Sequence, residues 1–397
     1  MSRPSMYDAI VVGASVAGLY TSRRLAAAGW HVCVLDKRAE IGGPVRCGEA
    51  SGNRAELSRF VDISDDWIAV DLAGLAVHVG NETSMVRDIP DTGVVLHRGR
   101  LEQCLADAAR KHGSEIRLRC RAVSLQSPAG TEPGVVLADG SVVRGRLIVG
   151  ADGPESLIGR CAGITTPLPL AHSYSAAQYR VSTDAFNDAR LHFFVGRDVV
   201  ENGYVWAFPK SDGEISVGAG LYGGTGTSGL TAKMYLDRFL DCRLPKARRH
   251  MLISGCAPLA VCPRRLHAGS VVVVGDAARQ VNPLTAGGIM NALEAAEMLC
   301  SRLCSAGPSG DIGAAVRGYS RAWSGRPRRE QKVFELLQRV YLGCDDDGLV
   351  RLLDRADRAF GGLADRSRPF RWPALELGRL FAMVLPHAWP HLHVLVG

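Results

Sequence analysis

Tyr7–Asp36, YDAIVVGASVAGLYTSRRLAAAGWHVCVLD, decides the fold. Ala9–Val12 is apolar and mostly β-branched, which predicts a strand. Gly13-Ala14-Ser15-Val16-Ala17-Gly18 turns the chain, Leu19–Ala28 consists largely of helix formers, and Gly29 stops them. His31–Leu35 predicts a second strand, closed by Asp36. Strand, glycine turn, helix and strand in this order make a dinucleotide-binding βαβ unit. Gly13 permits the tight turn and Gly18 a close helix–strand approach, while Ser15 and Ala17 lie in the same phosphate-facing turn. The helix N-terminus offers free N–H groups and partial positive charge to a pyrophosphate. Asp36 falls about 20 residues on, where a carboxylate accepts hydrogen bonds from ribose hydroxyls. Ser15 takes the place of the usual middle glycine, so the pyrophosphate approach is tighter or displaced. The competing reading is a glycine turn in an ordinary α/β core. The two strands, the helix and Asp36 in register favour a dinucleotide, without separating FAD from NAD.

Length and composition set the frame. At 397 residues, 47% of them hydrophobic and 22% charged, the chain is globular with ample core. Its net charge of +7 and pI of about 8.9 favour anionic partners: a phosphorylated substrate, a cofactor phosphate or an acidic membrane surface. No nucleic-acid-binding pattern occurs. The 11 cysteines include no C-x-x-C pair and no zinc spacing, so reduced thiols and no metal are expected. With the first strand beginning so early, no signal peptide is expected. No apolar run approaches the roughly 20 residues of a spanning helix. A cytoplasmic protein with peripheral membrane contact is the expectation.

Three further stretches carry chemistry. Lys37-Arg38 leads into a glycine- and proline-marked loop ending Pro44-Val45-Arg46-Cys47-Gly48-Glu49. Gly203-Tyr204-Val205-Trp206-Ala207-Phe208-Pro209 reads as a strand, whose period of two puts Tyr204, Trp206 and Phe208 on one face. Such a row makes a broad apolar wall; an aromatic core stripe is the plainer reading. Gly275–Ile289, GDAARQVNPLTAGGI, follows a β-branched strand and opens a helix over Met290–Leu303.

On these stretches the chain resembles the geranylgeranyl reductase family of flavoproteins, which have a para-hydroxybenzoate hydroxylase-type fold. The resemblance covers most of Tyr7–Leu303 and thins beyond it. It implies FAD as resident cofactor. Lys37, Arg46, Cys47, Gly48 and Arg98 then belong to its site, with Ala122 and Val123 on the adenine side. Asp152, in an Asp-Gly motif, supports the cofactor, and Asp276 bonds the ribityl chain. Pro283, Gly287, Gly288 and Ile289 lie beside the ring, facing it with a helix N-terminus. Tyr204, Trp206, Phe208 and Pro209 would wall a prenyl site. Cys47, Tyr204 or an ordered water would donate a proton, and Tyr204 and Trp206 would stabilise cationic character. Taken singly, Cys47 reads as a small buried residue, Arg98 as a solvated one and Asp152-Gly153 as a strand end. Arg279 and Ala286 depart from the smaller or glycine residues that members carry.

The fold class expected is α/β: a Rossmann-type FAD-binding domain, an inserted antiparallel β-sheet substrate domain and a C-terminal helical region. The first spans 1–80, 97–165 and 255–310, the second 81–96 and 166–254, and the third 311–397. Short strands are expected at Gly74–Val79 and Gly93–Leu96, and one alternating strand over Ile116–Leu125. Lys210-Ser211-Asp212-Gly213 reads as a tight turn, Arg326-Pro327-Arg328-Arg329 as a solvated basic face in preference to a contact for a diphosphate or lipid headgroup, and Cys300 and Cys304 as packing residues. Ala374–Leu385 would cap a substrate tunnel or touch a bilayer.

The function implied is reduction of isolated C=C bonds in a polyprenyl chain, with hydride from reduced flavin and a proton from an acid. The substrate would be a prenyl diphosphate or prenyl lipid, and the electron donor NAD(P)H or ferredoxin. Two alternatives stand beside it. One is an FAD monooxygenase using NAD(P)H and oxygen on an aromatic or terpenoid product. The other is a non-catalytic, flavin-bearing prenyl-lipid carrier.

Overall fold

A computed structural model describes residues 6–80, 82–126, 133–186, 188–211, 213–223 and 228–361. Ala374–Leu385 and Asp212 lie outside the described residues. The chain divides into two units: Met1–Pro44, Arg98–Leu168 and Pro258–Gln331 form the first, and Val45–His97, Pro169–Ala257 and Lys332–Gly397 the second.

The first unit is built on a parallel sheet. Tyr7–Val12 pairs in parallel with Val32–Leu35 on one side and Val142–Gly150 on the other. Glu115–Arg117 and Val271–Val273 extend it outward, also in parallel. Ala9, Ile10, Val11 and Val271–Val273 have no exposed surface, as expected of strands covered on both faces. The helix Val16–Ala27 starts earlier than its composition suggests, because Ser15 takes the extended N-cap conformation. It packs against the helix Ile289–Ala306: Tyr20 donates to Glu297 at 2.6 Å, and Arg24 pairs with Glu297 at 3.2 Å. Cys300 and Cys304 do pack here, on the carbonyls of Thr21 and Arg24.

One alternating run proves to be two strands. Glu115–Arg117 joins the parallel sheet, whereas Ala122–Gln126 pairs antiparallel with Gly134–Leu137. Between them Arg119 sits at φ 57°, a left-handed conformation that ends the extended run.

The second unit contains an eight-stranded sheet in the order Arg248–Pro258, Ser173–Ser182, Glu214–Tyr222, Gly203–Pro209, Arg190–Val195, Ile68–Val79, Glu82–Leu96, Ala50–Ser51. The two short strands expected near Gly74 and Gly93 are parts of one long hairpin in this sheet. Residues 45–80 therefore group with the substrate-domain sheet and not with the parallel one, as the sequence reading had them. Residues 311–331 group with the first unit, where Ser320 Oγ accepts from Leu266 N–H at 3.0 Å. The sheet is also not wholly antiparallel, since Arg190–Val195 runs parallel to Ile68–Val79. The helix Ala232–Arg243 covers one face, where Val205, Ala207, Val217, Ala219 and Phe239 form the core.

Candidate functional site

In the first unit the glycine turn has the tightness its motif requires. Gly13 lies at φ 107°, and a Cβ there would stand 2.1 Å from the Ala151 carbonyl oxygen. A Cβ at Gly18 would stand 1.9 Å from the Gly13 carbonyl oxygen. Ser15 makes no side-chain cap on the helix it begins. Its Oγ donates instead to Glu102 Oε1 at 2.5 Å and accepts from Arg98 Nη2 at 2.7 Å. The first-turn N–H groups beside Ala17 are thus left uncapped by a side chain, the condition for an anion site at a helix start.

Asp36 is buried and already bonded. It accepts from the Ala14 N–H at 2.6 Å and the Arg38 N–H at 2.7 Å, and pairs with the Arg38 guanidinium at 3.1 Å. Burial raises its carboxyl, and the Arg38 contacts with the two N–H donors outweigh that, holding it below the usual range. Arg38 also reaches Glu102 at 3.1 Å, and Arg98 reaches the same carboxylate at 3.1 Å. Asp36, Arg38, Arg98, Glu102 and Ser15 form one network. Arg98 is therefore not simply solvated. Glu102 and the role of Arg38 were missed, because only the fold brings the helix Arg98–Lys111 to the glycine turn. Lys37 is exposed.

Asp152 caps a helix: Ser156 Oγ donates to it at 2.5 Å and the Ile158 N–H at 3.0 Å. Burial raises its carboxyl against the pull of those donors. Ala122 and Val123 open the antiparallel strand, with Val123 exposed.

Asp276 differs from both other aspartates. Its carboxylate accepts no hydrogen bond from any described residue, and burial raises its carboxyl against the opposing charge of Arg98. Gly288, the N-cap of Ile289–Ala306, also provides no side-chain cap, and a Cβ there would stand 3.3 Å from Asp276 Oδ1. Pro283 and Gly287 lie in the preceding loop. Asn282 Oδ1 holds it by accepting from the Leu284 and Thr285 N–H groups, and Gln331 Nε2 by donating to the Arg279 and Val281 carbonyls. Arg279 and Ala286 adopt left-handed φ of 58° and 54°, so both departures from glycine fall where glycine is easiest. Arg328, read as part of a solvated basic face, instead donates to the Cys262 carbonyl at 3.0 Å.

In the second unit the period-two reading of Gly203–Pro209 holds. Val205 and Ala207 enter the core under the helix, so Tyr204, Trp206 and Phe208 turn to the opposite face, and all three are buried. Phe193 meets Tyr204 and Phe208 edge-on at centroid distances of 5.8 and 5.4 Å, and Tyr174 stacks on Tyr204 at 5.5 Å. Two glycines of the neighbouring strand make room for these rings. A Cβ at Gly218 would lie 2.1 Å from Trp206 Cζ2, and one at Gly220 2.0 Å from Tyr174 Cζ. Pro209 is buried at the strand end.

Gly48 lies over this face: a Cβ there would stand 3.1 Å from Phe208 Cε2 and 3.3 Å from Trp206 Nε1. The Trp206 Nε1 is buried without a hydrogen-bond partner among the described residues. Arg46 is exposed and runs beside Gly255. Cys47 is half-buried, and its Sγ accepts from the Glu49 N–H at 3.2 Å. Burial pushes the Tyr204 phenol up to about 12, with Tyr174 opposing and Cys47 adding to the rise. Lys210, read as a turn residue, is buried and paired with Glu49 at 2.8 Å.

Comparison with known proteins bears on both units. A sequence profile of the geranylgeranyl reductase catalytic domain matches residues 173–258, and one of an FAD binding domain matches residues 6–197. The chain is 32% identical over 359 residues to the digeranylgeranylglycerophospholipid reductase of Methanosarcina acetivorans, covering 88% of each. It is 32% identical to the enzyme of that name from Methanothrix thermoacetophila, covering 87% of this chain and 90% of that one. Among solved structures, a geranylgeranyl bacteriochlorophyll reductase-like protein from Thermoplasma acidophilum superposes with a TM-score of 0.84 at 26% identity, over 98% and 99% of the two chains. A probable FAD-dependent monooxygenase from Pseudomonas aeruginosa shares the fold, with a TM-score of 0.67 at 16% identity over 88% of this chain and 100% of that one.

Proposed function

The chain belongs to the FAD-dependent geranylgeranyl reductase family, and from that premise we propose that it saturates C=C bonds in the polyprenyl chains of a glycerophospholipid or prenyl diphosphate. It is an FAD-dependent reductase. The residues present suit that cofactor: Asp276 is a half-buried acceptor without a donor among the described residues, and two helix N-termini, at Ser15 and Gly288, lack side-chain caps. In this reading the turn Gly13–Gly18, with Arg98, holds the pyrophosphate. Asp36 takes the ribose, and Asp276 accepts from the ribityl hydroxyls. When bound and reduced, FAD supplies the hydride.

The chain's own residues supply the rest. An isolated alkene has no polar handle, so recognition must come from shape and apolar contact. The observation that carries the reading is the buried face made by Tyr204, Trp206 and Phe208, with Trp206 seated over Gly218 and the neighbouring Tyr174 over Gly220. It lies within the stretch matching the catalytic-domain profile. Its rings line the prenyl chain and exclude water, and their π faces stabilise positive charge as a proton arrives. Cys47 and Tyr204 are the proton donors to test. NAD(P)H or ferredoxin would return electrons, and a prenyl-lipid substrate implies peripheral contact of a cytoplasmic protein with the bilayer. Among the described residues no helix is long and apolar enough to cross a membrane.

The test is anaerobic. Dithionite-reduced protein is mixed with geranylgeranyl diphosphate or digeranylgeranylglycerophospholipid, and the products are analysed by mass. Gain of hydrogen pairs is expected. Substrate-dependent oxygen uptake with NAD(P)H, and no gain of hydrogen, would overturn the reading in favour of a monooxygenase. Binding without turnover of either kind would favour the carrier.

A further inference from the structure

The loop that carries Cys47 and Gly48 is anchored by a buried charge node. Glu49 is 2% exposed and sits at φ 69°, a conformation that side-chain-bearing residues adopt only when their surroundings hold them there. Its backbone and side chain are both held. The Glu49 carbonyl accepts from the Leu96 N–H at 2.9 Å. Its carboxylate pairs with Lys210 at 2.8 Å and with Arg180 at 3.3 Å. The Lys210 ammonium also donates to the Leu96 carbonyl. Lys210 directly follows the aromatic strand, so one buried cation ties the end of that strand, the end of Glu82–Leu96 and the Cys47 loop together. The Glu49 N–H completes the arrangement by donating to Cys47 Sγ.

A buried ion pair seldom stabilises a fold more than a well-packed apolar pair would, but it does favour one geometry over others. We propose that Lys210 and Glu49 are positioning residues for alkene reduction: they fix Gly48 against Trp206 and Phe208 and with it the adjoining Cys47, and act on the reaction through Cys47. Arg180 serves as the second clamp on the Glu49 carboxylate. The proposal rests on the prenyl-reductase reading for what Cys47 does, but not for where the pair holds it.

Two measurements test it, both on the FAD-loaded protein. Removing one partner alone leaves an unpaired buried charge, so the neutral pair Lys210→Met/Glu49→Gln is the main variant and Lys210→Arg the conservative one. The first readout is alkylation of Cys47 by iodoacetamide, followed by peptide mass analysis, with the exposed Cys104 as internal reference. The Cys47 rate is expected to change about fivefold or more in the neutral pair while Cys104 stays constant, and Lys210→Arg should restore most of it. A Cys47 rate within about twofold of the parent would overturn the positioning claim. The second readout is single-turnover alkene reduction in a double-mutant cycle. Loss of the pair should slow the reaction about tenfold with Cys47 present and about twofold or less in the Cys47→Ala background. Equal losses in both backgrounds, or full turnover in Cys47→Ala alone, would overturn action through Cys47. If no prenyl chain is reduced at all, the functional reading fails, while the alkylation result still decides whether the pair positions the loop.

Discussion

Gly218→Ala tests whether the aromatic face depends on the bare backbone beneath it. The added Cβ would stand 2.1 Å from Trp206 Cζ2 and 2.4 Å from Cε2, where ordinary contact begins at 3.4 Å. The indole must therefore move by more than an ångström. Gly218 is not among the left-handed glycines, so the substitution imposes no forbidden backbone angle, and the clash is the main penalty. Overpacking of this kind costs about 1–3 kcal/mol. That corresponds to a melting temperature lower by roughly 2–4 °C per kcal/mol for a domain of this size. The assay is a double-mutant cycle in which Gly218→Ala is made in the parent and in Trp206→Leu, with stability read from denaturant midpoints. Leucine leaves the space above residue 218 free, so a coupling of about 1–2 kcal/mol is expected. If the aromatic face lines the prenyl chain as proposed, displacing the indole should also shift turnover toward shorter prenyl chains. Equal destabilisation in both backgrounds, with an unchanged chain-length profile, would refute the claim that this glycine seats the ring.

Other consequences follow from the first unit. Ala286→Gly should stabilise the protein by about 1 kcal/mol, because glycine removes the left-handed strain at φ 54°; an unchanged melting temperature would contradict this. Asp276→Asn should weaken FAD binding roughly tenfold in a fluorescence titration, since a charged acceptor of ribityl hydroxyls is lost. The same variant has a pH signature in the FAD-free protein. Burial raises the folded-state pKa of Asp276, so its favourable contribution is complete below the unfolded carboxylate value of about 4 and is lost as pH rises through the folded value. Asp276→Asn should remove that decline, which is read by comparing unfolding midpoints across acid pH. Arg98→Ala should weaken FAD binding by about 1–2 kcal/mol, with the loss shrinking as salt is raised, because the guanidinium beside Ser15 acts through charge. A salt-independent loss would argue for a packing role.

Much of the first unit was legible because its signals are local. A glycine turn between two β-branched strands is a chain-neighbour pattern, and the later β-branched run before Gly275 reads as another buried parallel strand for the same reason. Alternation along Gly203–Pro209 likewise assigned Tyr204, Trp206 and Phe208 to one face, since the pleat makes side-chain direction a property of the strand itself. The family resemblance added cofactor and substrate class on the strength of Pro44–Glu49, Gly203–Pro209 and Gly275–Ile289. Local pattern could not show which distant groups those stretches would meet. Lys210 looks like a turn residue and Glu49 like a loop residue; only folding buries both and pairs them across 161 positions of chain. Glu102 joins Ser15 and Arg38 in the same way. The placement of Ile68–Val79 beside Arg190–Val195, in parallel, is also a long-range choice. Periodicity and turn chemistry, acting between neighbours, wrote the strands, the turn and the aromatic row into the sequence. Ion pairs and sheet order arise between segments far apart in the chain, where burial decides which charges must find a partner, and these were settled by the tertiary structure alone.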